Sequence, residues 1–335
     1  MRLGLIGLGR IGRFHASTLS ALPAVSSLVV TDAQPGIAAT TAAELGAEAA
    51  DTAADLIAAG VDGVVIAAAT DAHPELLLAA SEAGLPVFCE KPLAGTIAAG
   101  LDVARRLSDA GAVVQVGYPR RFDAAFLAAR ATVRSGELGR VHTVRSTTLD
   151  PAPPPRDYLA RSGGIFRDCS VHDFDAIRWV TGREVVSVFA TGTAHEDPVF
   201  AELGDVATAA SVLTLDDGTL AVVSNSRYNP RGYDVRLELH GTTDSIAAGL
   251  EDKLPLRSVE PGATFPAGTP HTFFVDRLAA AFRAGLSAFT EVVAGTRPSP
   301  CTVLDALETG WVAEAATLSL TRGRPVALEE IRTPL

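Results

Sequence analysis

Met1-Arg-Leu-Gly-Leu-Ile6-Gly7-Leu8-Gly9-Arg10-Ile11-Gly12 decides the fold. Met1 to Ile6 reads as a short buried strand, the glycine pattern GxGxxG follows at once, and Arg13 to Leu22 has helical character. Strand, GxGxxG and helix in that order is the context in which the glycines mark a dinucleotide site. Gly7 allows the tight turn, Gly9 lets a pyrophosphate approach the backbone, and Gly12 lets helix and strand pack closely. The phosphates then meet unpaired N–H groups at the positive helix end, which spans Gly9, Arg10, Ile11 and Gly12. A second strand, Ser27 to Thr31, leads to Asp32, twenty residues after Gly12, where a carboxylate would meet the adenosine ribose. Asp32 favours NAD over NADP: a 2′-phosphate there faces a like charge, and the next residues, Ala33, Gln34 and Pro35, bring no arginine. Such a charge pair about 4 Å apart costs on the order of 1 kcal/mol in water and several times that when partly dry. The plain alternative for Asp32 is a turn residue at a strand end.

Outward from this motif, helices and strands keep alternating. Gly36 to Gly46 and Ala53 to Ala59 read as helices, Gly63 to Ala68 as an apolar strand, and Pro74 to Ala83 as a helix opened by proline. Leu85 to Cys89 is a strand, Ile97 to Ala110 a helix and Val113 to Val116 a strand. Short continuous apolar strands between helices predict a parallel sheet covered on both faces, so residues 1–120 read as an α/β Rossmann domain. The rhythm then changes. Ala124 to Arg134 is helical, Val141 to Thr148 alternates like a strand, and Asp150 to Pro155 is an extended proline loop. A helix over Val171 to Thr181 precedes strands at Glu184 to Thr191, Ala207 to Thr214, Leu220 to Ser226 and Tyr233 to His240. Asp216-Asp217-Gly218 signals a hairpin, and strands in a row predict a mostly antiparallel open sheet in an α+β domain over 121–335. Helices over Phe273 to Ala294 and Val303 to Ser319 complete it.

The 335 residues suit two domains, with 47% apolar and 20% charged residues. A net charge of −11 argues against non-specific nucleic-acid binding, and no stretch reads as a membrane span. Cys89, Cys169 and Cys301 lie far apart with no CxxC pair, which reads as reduced thiols in a cytoplasmic protein rather than a disulfide framework or zinc site.

Two constellations carry chemistry. Glu90-Lys91-Pro92 follows a strand at the carboxyl edge, where ligands of doubly wound sheets bind. A lysine there can bond a substrate hydroxyl and stabilise charge on its oxygen; a surface lysine is the plain alternative. Asp168-Cys169-Ser170-Val171-His172 is the second. If a helix begins near Asp168, a spacing of four puts Asp168 and His172 on one face. The carboxylate would then fix the imidazole tautomer, and histidine suits removal of an alcohol proton near neutral pH. The alternative is Asp168 as N-cap and His172 as a packed helix residue. Asp173 and Asp175 resemble metal ligands, but no second histidine stands at ligand spacing, so no metal is expected.

In order along the chain, these pieces resemble the glucose–fructose oxidoreductase / inositol dehydrogenase / MocA family. The resemblance rests on Gly7 through His15, Glu90-Lys91-Pro92, Val116 through Asp123, Gly163 through Asp175 and the closing Gly323-Arg-Pro-Val326. It covers essentially the whole chain and looks most like inositol 2-dehydrogenases and related sugar dehydrogenases. The resemblance implies that Lys91 positions and polarises the reacting hydroxyl and that Asp168 and His172 form the family's pair, with His172 as general base. It also implies that Thr70 and His73 pass beside the cofactor and that Glu90 lies near its nicotinamide ribose. Arg120 and Tyr233 would line the substrate, with a structural role equally open for both. Two departures stand out: Cys169 replaces a hydroxyl residue, and Asp150 to Pro155 replaces a region where relatives often carry asparagine or histidine, leaving Asp150 as the comparable polar group.

The expected activity is reversible, NAD-dependent oxidation of a ring secondary alcohol of a cyclitol or sugar, by a homodimer or homotetramer that packs the open faces of its second-domain sheets. Two alternatives stay open at this point: a redox-neutral hydrolase or lyase that uses NAD transiently, and a non-catalytic NAD or sugar sensor.

Overall fold

A computed structural model describes residues 1–195 and 197–333. It divides into two units. The first comprises Met1–Pro119 together with Ala281–Glu308; the second comprises Arg120–Ala280 and the described residues from Thr309 onward. The return of Ala281–Glu308 to the first unit departs from a linear division.

The first unit runs β1 (Arg2–Ile6), α1 (Arg10–Ser20), β2 (Ser27–Thr31), α2 (Ile37–Leu45), β3 (Glu48–Ala49), α3 (Ala53–Ala58), β4 (Gly63–Ile66), α4 (His73–Glu82), β5 (Val87–Glu90), α5 (Ile97–Asp109) and β6 (Val114–Gly117). All pairings are parallel, in the order β3-β2-β1-β4-β5-β6. The strand order reverses between β1 and β4, which is where doubly wound sheets bind their ligands. β1, β4, β5 and β6 are buried on both faces, which explains their continuous apolar runs. Leu286, Phe289 and Val292, from far along the chain, pack into the same core as Leu3, Leu5, Val30, Val65 and Phe88. Thr52 and Thr96 cap α3 and α5 by accepting N–H bonds from Asp55 and Ala99.

The second unit continues with α6 (Ala124–Ser135), β7 (Val141–Leu149), α7 (Arg156–Leu159), a π-turn at Phe166–Ser170, α8 (Val171–Thr181), β8 (Val185–Thr193), α9 (Pro198–Glu202), β9 (Thr208–Leu215), β10 (Leu220–Ser226), β11 (Asp234–Gly241) and β12 (Ser245–Ala248). Along the chain, two long helices, α10 (Phe274–Val293) and α11 (Val303–Arg322), follow, of which Ala281–Val293 and Val303–Glu308 belong to the first unit, and then a short β13 (Val326–Ala327). The sheet order is β12-β11-β7-β10-β9-β8-β13, with every pair antiparallel except β7–β10. The β9–β10 hairpin turns at Asp216–Gly218, where Gly218 takes a φ of +84°. One sheet face is buried through Val144, Ser146, Thr148, Leu213, Ala221 and Val223. On the other face Phe189, Val212 and Val222 form a row in register across β8, β9 and β10, each 40–42% exposed.

Candidate active site

In the first unit the sequence builds an anion cradle. Gly7 has a φ of +93°, and a Cβ there would strike the backbone of Ala67 and Ala68. A Cβ on Gly12 would run into the Gly7 carbonyl, so the loop closes only on glycine at both places. Beside Gly9 the space is open. Gly9 caps α1 without a side-chain hydrogen bond, and the first turn, beginning at exposed Arg10 and half-buried Ile11, holds no acid. The N–H groups of that turn are therefore presented to an anion. Asp32 sits against this loop: its Oδ2 accepts the Leu8 N–H at 2.6 Å and its Oδ1 accepts the Gln34 N–H at 2.8 Å. These residues fit a dinucleotide.

Thr70, half-buried, opens a 3₁₀ turn after β4. His73 is buried: Nδ1 lies 2.7 Å from the Pro92 carbonyl oxygen and Nε2 lies 3.1 Å from that of Ala68. It therefore joins the segments after β4 and β5, a tie between loops rather than an exposed cofactor ligand. Burial lowers its pKa, and the two carbonyls offset this only in part. Glu90 is also largely buried, with Oε1 2.7 Å from Nε2 of His15 on α1, and its carboxyl group lies over Gly117. Lys91 follows, half-buried, at a cis bond to Pro92.

In the second unit the π-turn carries Asp168 and Cys169, and α8 starts only at Val171. The α-helix starts at Val171, as the sequence predicts, and the conditional start near Asp168 is met only by one wider turn before it, a distortion frequent at functional sites. From Val171 to Arg178 every residue is buried except His172. Asp168 is held on both oxygens. The Tyr158 hydroxyl donates to Oδ1 at 2.7 Å and Arg227 Nη2 donates to Oδ2 at 2.6 Å. Arg227 Nη1 also donates to Asp150 Oδ2 at 2.8 Å. Asp150, Asp168, Cys169 and Arg227 thus form one cluster, electrostatically coupled to Tyr233 and Arg120. Burial pushes the Cys169 thiol and the Tyr233 phenol above their usual ranges, and Asp150 adds to both. Both effects favour the protonated thiol at Cys169.

Arg120, for which a lining and a structural role were both open, is 2% exposed, with Nη1 donating to Asp173 Oδ1 at 2.7 Å and Nη2 to Thr148 Oγ1 at 2.6 Å. Ser146, Thr148 and Asn225 also donate to Asp173, so Arg120 belongs to a satisfied buried network. Arg121 pairs with Asp175 in the same manner. Both α8 acids are thus spent on arginines, and among the described residues no group of three or more His, Cys, Asp or Glu could hold a metal. Arg227 and Tyr158 escaped the sequence reading. The one cue for Arg227 is a charge directly after a strand of alternating burial.

Comparison with known proteins adds the lineage. Residues 1–118 match the oxidoreductase family with NAD-binding Rossmann fold, and residues 126–247 match the GFO/IDH/MocA C-terminal domain. The chain is 40% identical to a myo-inositol dehydrogenase of Streptomyces leeuwenhoekii, over 98% of this chain and 100% of that one. It superposes on a myo-inositol dehydrogenase from Corynebacterium glutamicum with a TM-score of 0.91 and 33% identity, covering 100% and 99% of the two chains. A scyllo-inositol dehydrogenase from Lactobacillus casei, solved with NAD(H) and scyllo-inositol, gives a TM-score of 0.87 at 29% identity over 98% and 99%.

Proposed function

The chain belongs to the GFO/IDH/MocA oxidoreductase family, and from that premise we propose an NAD-dependent dehydrogenase that oxidises a ring secondary hydroxyl of an inositol-type cyclitol to a ketone. The carrying observation is the second unit's cluster. His172 is the one open position in the buried start of α8, and Asp168, Asp150 and Tyr233 supply polar groups suited to a polyol.

NAD supplies the hydride acceptor. Gly7, Gly9, Arg10, Ile11 and Gly12 would hold its phosphates, and Asp32 its adenosine ribose, with NAD preferred to NADP for reasons of charge. His172 takes the hydroxyl proton, and Lys91 stabilises the negative charge that grows on the oxygen. Asp168 orients His172 and favours its protonated form. Thr70, His73 and Glu90 support the cofactor segment, the latter two through buried contacts. Asp150, Cys169 and Tyr233 shape the polyol end, with Arg120 supporting them from the buried network. The three buried thiols suit the cytoplasm, where they stay reduced, and the exposed sheet row suits a closed homodimer or homotetramer.

The test is absorbance of reduced nicotinamide with purified protein, NAD and a panel of myo-inositol, scyllo-inositol and aldoses. NADH accumulates with a cyclitol. Product without net NADH, or no turnover on any polyol, rejects the reading. Lys91→Ala lowers kcat about 1000-fold or more and leaves NAD affinity nearly intact; equal activity in that variant removes Lys91 from its role.

A further inference from the structure

Arg227 belongs to no motif, yet its backbone N–H and both of its Nη atoms have defined partners. It directly follows β10 and is 3% exposed. Its own N–H donates to the Ala207 carbonyl, while Asp150 is tied to the same strand end through the Asp150 N–H to the Ser226 carbonyl at 2.8 Å. The guanidinium therefore leaves a fixed backbone and spans two carboxylates from different segments, Asp150 after β7 and Asp168 in the π-turn. Burial works against its charge, and Cys169, Asp168 and Asp150 beside it hold the guanidinium above its ordinary range. With Tyr158 on the other oxygen, the Asp168 carboxylate has no freedom to swing.

We propose that Arg227 is a positioning residue: it fixes the Asp168 carboxylate, on which the orientation of His172 depends, and locks to it the Asp150 carboxylate at the polyol end. This rests on the reading of Asp168 and His172 as the proton-accepting pair. A planar fork with several fixed donors can serve two acids at once; an ammonium on a flexible stem cannot hold both in one geometry. One guanidinium thus sets substrate recognition and proton acceptance in a common frame.

The test measures oxidation of myo-inositol with NAD by Arg227→Met, Arg227→Lys, Asp168→Asn and the double variant Asp168→Asn/Arg227→Met, with NAD affinity and thermal midpoint alongside. Arg227→Met is expected to lower kcat about 100-fold, the cost of displacing a catalytic group by roughly an ångström. Arg227→Lys recovers part of that loss. In the Asp168→Asn background the same Arg227→Met change costs less than about threefold, because groups that act through one another are not additive. Equal losses in both backgrounds make Arg227 plain scaffold and overturn the proposal, as does native kcat in Arg227→Met. If Arg227→Met fails to fold, Asp150→Asn/Arg227→Met, which removes an acid together with the cation, is compared with Asp150→Asn under the same criteria. Native turnover in Asp168→Asn rejects the proton-accepting pair and Arg227 with it. An impaired Asp168→Asn beside an unimpaired Arg227→Met rejects Arg227 alone.

Discussion

Asp32 does two jobs that substitution can separate. Its oxygens accept the Leu8 and Gln34 N–H groups and so brace the glycine loop, while its charge opposes a 2′-phosphate. Asp32→Asn keeps an acceptor and removes the charge, so the NAD-to-NADP ratio of kcat/KM is expected to fall about tenfold or more, given 1.4 kcal/mol per decade and a like-charge cost of at least that size when partly dry. Steady-state kinetics with both nucleotides check this. His73 makes a different prediction. Burial depresses its folded pKa below the unfolded value of about 6.5. The unfolded chain therefore binds more protons in acid, and the contribution is complete above about 6.5 and declines as pH falls below it. Thermal midpoints followed downward from about pH 8 should drop through this window, and His73→Gln, which does not titrate there, should show a shallower drop. The glycines and Asp32 were legible because one local motif dictates their geometry. Arg227 was not, because its two partners lie 77 and 59 residues away in sequence and only the folded sheet brings them to it. Arg120 shows the converse: a residue in a recognisable stretch whose guanidinium is spent on Asp173 within the core.

At the scale of elements, period and punctuation located most helices and strands to within a residue or two. α8 begins and ends at the expected residues. The π-turn before it carries no compositional code that distinguishes it from ordinary helix, so the sequence left the conformation at Asp168 open. β3 and β13 are two residues each, too short for any periodicity to register. The parallel β7–β10 pair also lay beyond pattern reading, since consecutive strands imply hairpins and this pairing skips β8 and β9. The α1 loop gives the element-scale test. Gly12→Ala forces a methyl group against the Gly7 carbonyl, so the turn must open. NAD affinity is expected to fall at least about tenfold and the thermal midpoint by several degrees, as strain of roughly 1–3 kcal/mol requires. Titration calorimetry and a melting curve measure both. Unchanged NAD affinity would mean that the glycine loop does not hold the pyrophosphate.

For the whole molecule, the exposed row Phe189, Val212 and Val222 is the face on which the proposed homo-oligomer would pack. A β-sheet face with large apolar side chains at this exposure is the kind of patch that marks association. Val212→Arg with Val222→Glu places charges in the middle of it, and size-exclusion chromatography with light scattering is expected to show monomers where the parent chain is a closed oligomer. An unchanged mass rejects this face as the interface. The division of the chain carries a separate consequence. Leu286, Phe289 and Val292 complete the first unit's core although β7 to β12 lie between them and β6 in sequence. A ribosome translating from Met1 releases all six strands of that sheet long before it supplies the helix that covers them. The nascent nucleotide-binding half must therefore wait, incompletely clothed, until α10 has been made. A fragment cut after Pro119 would remain in that state permanently, and chaperone capture is its natural fate.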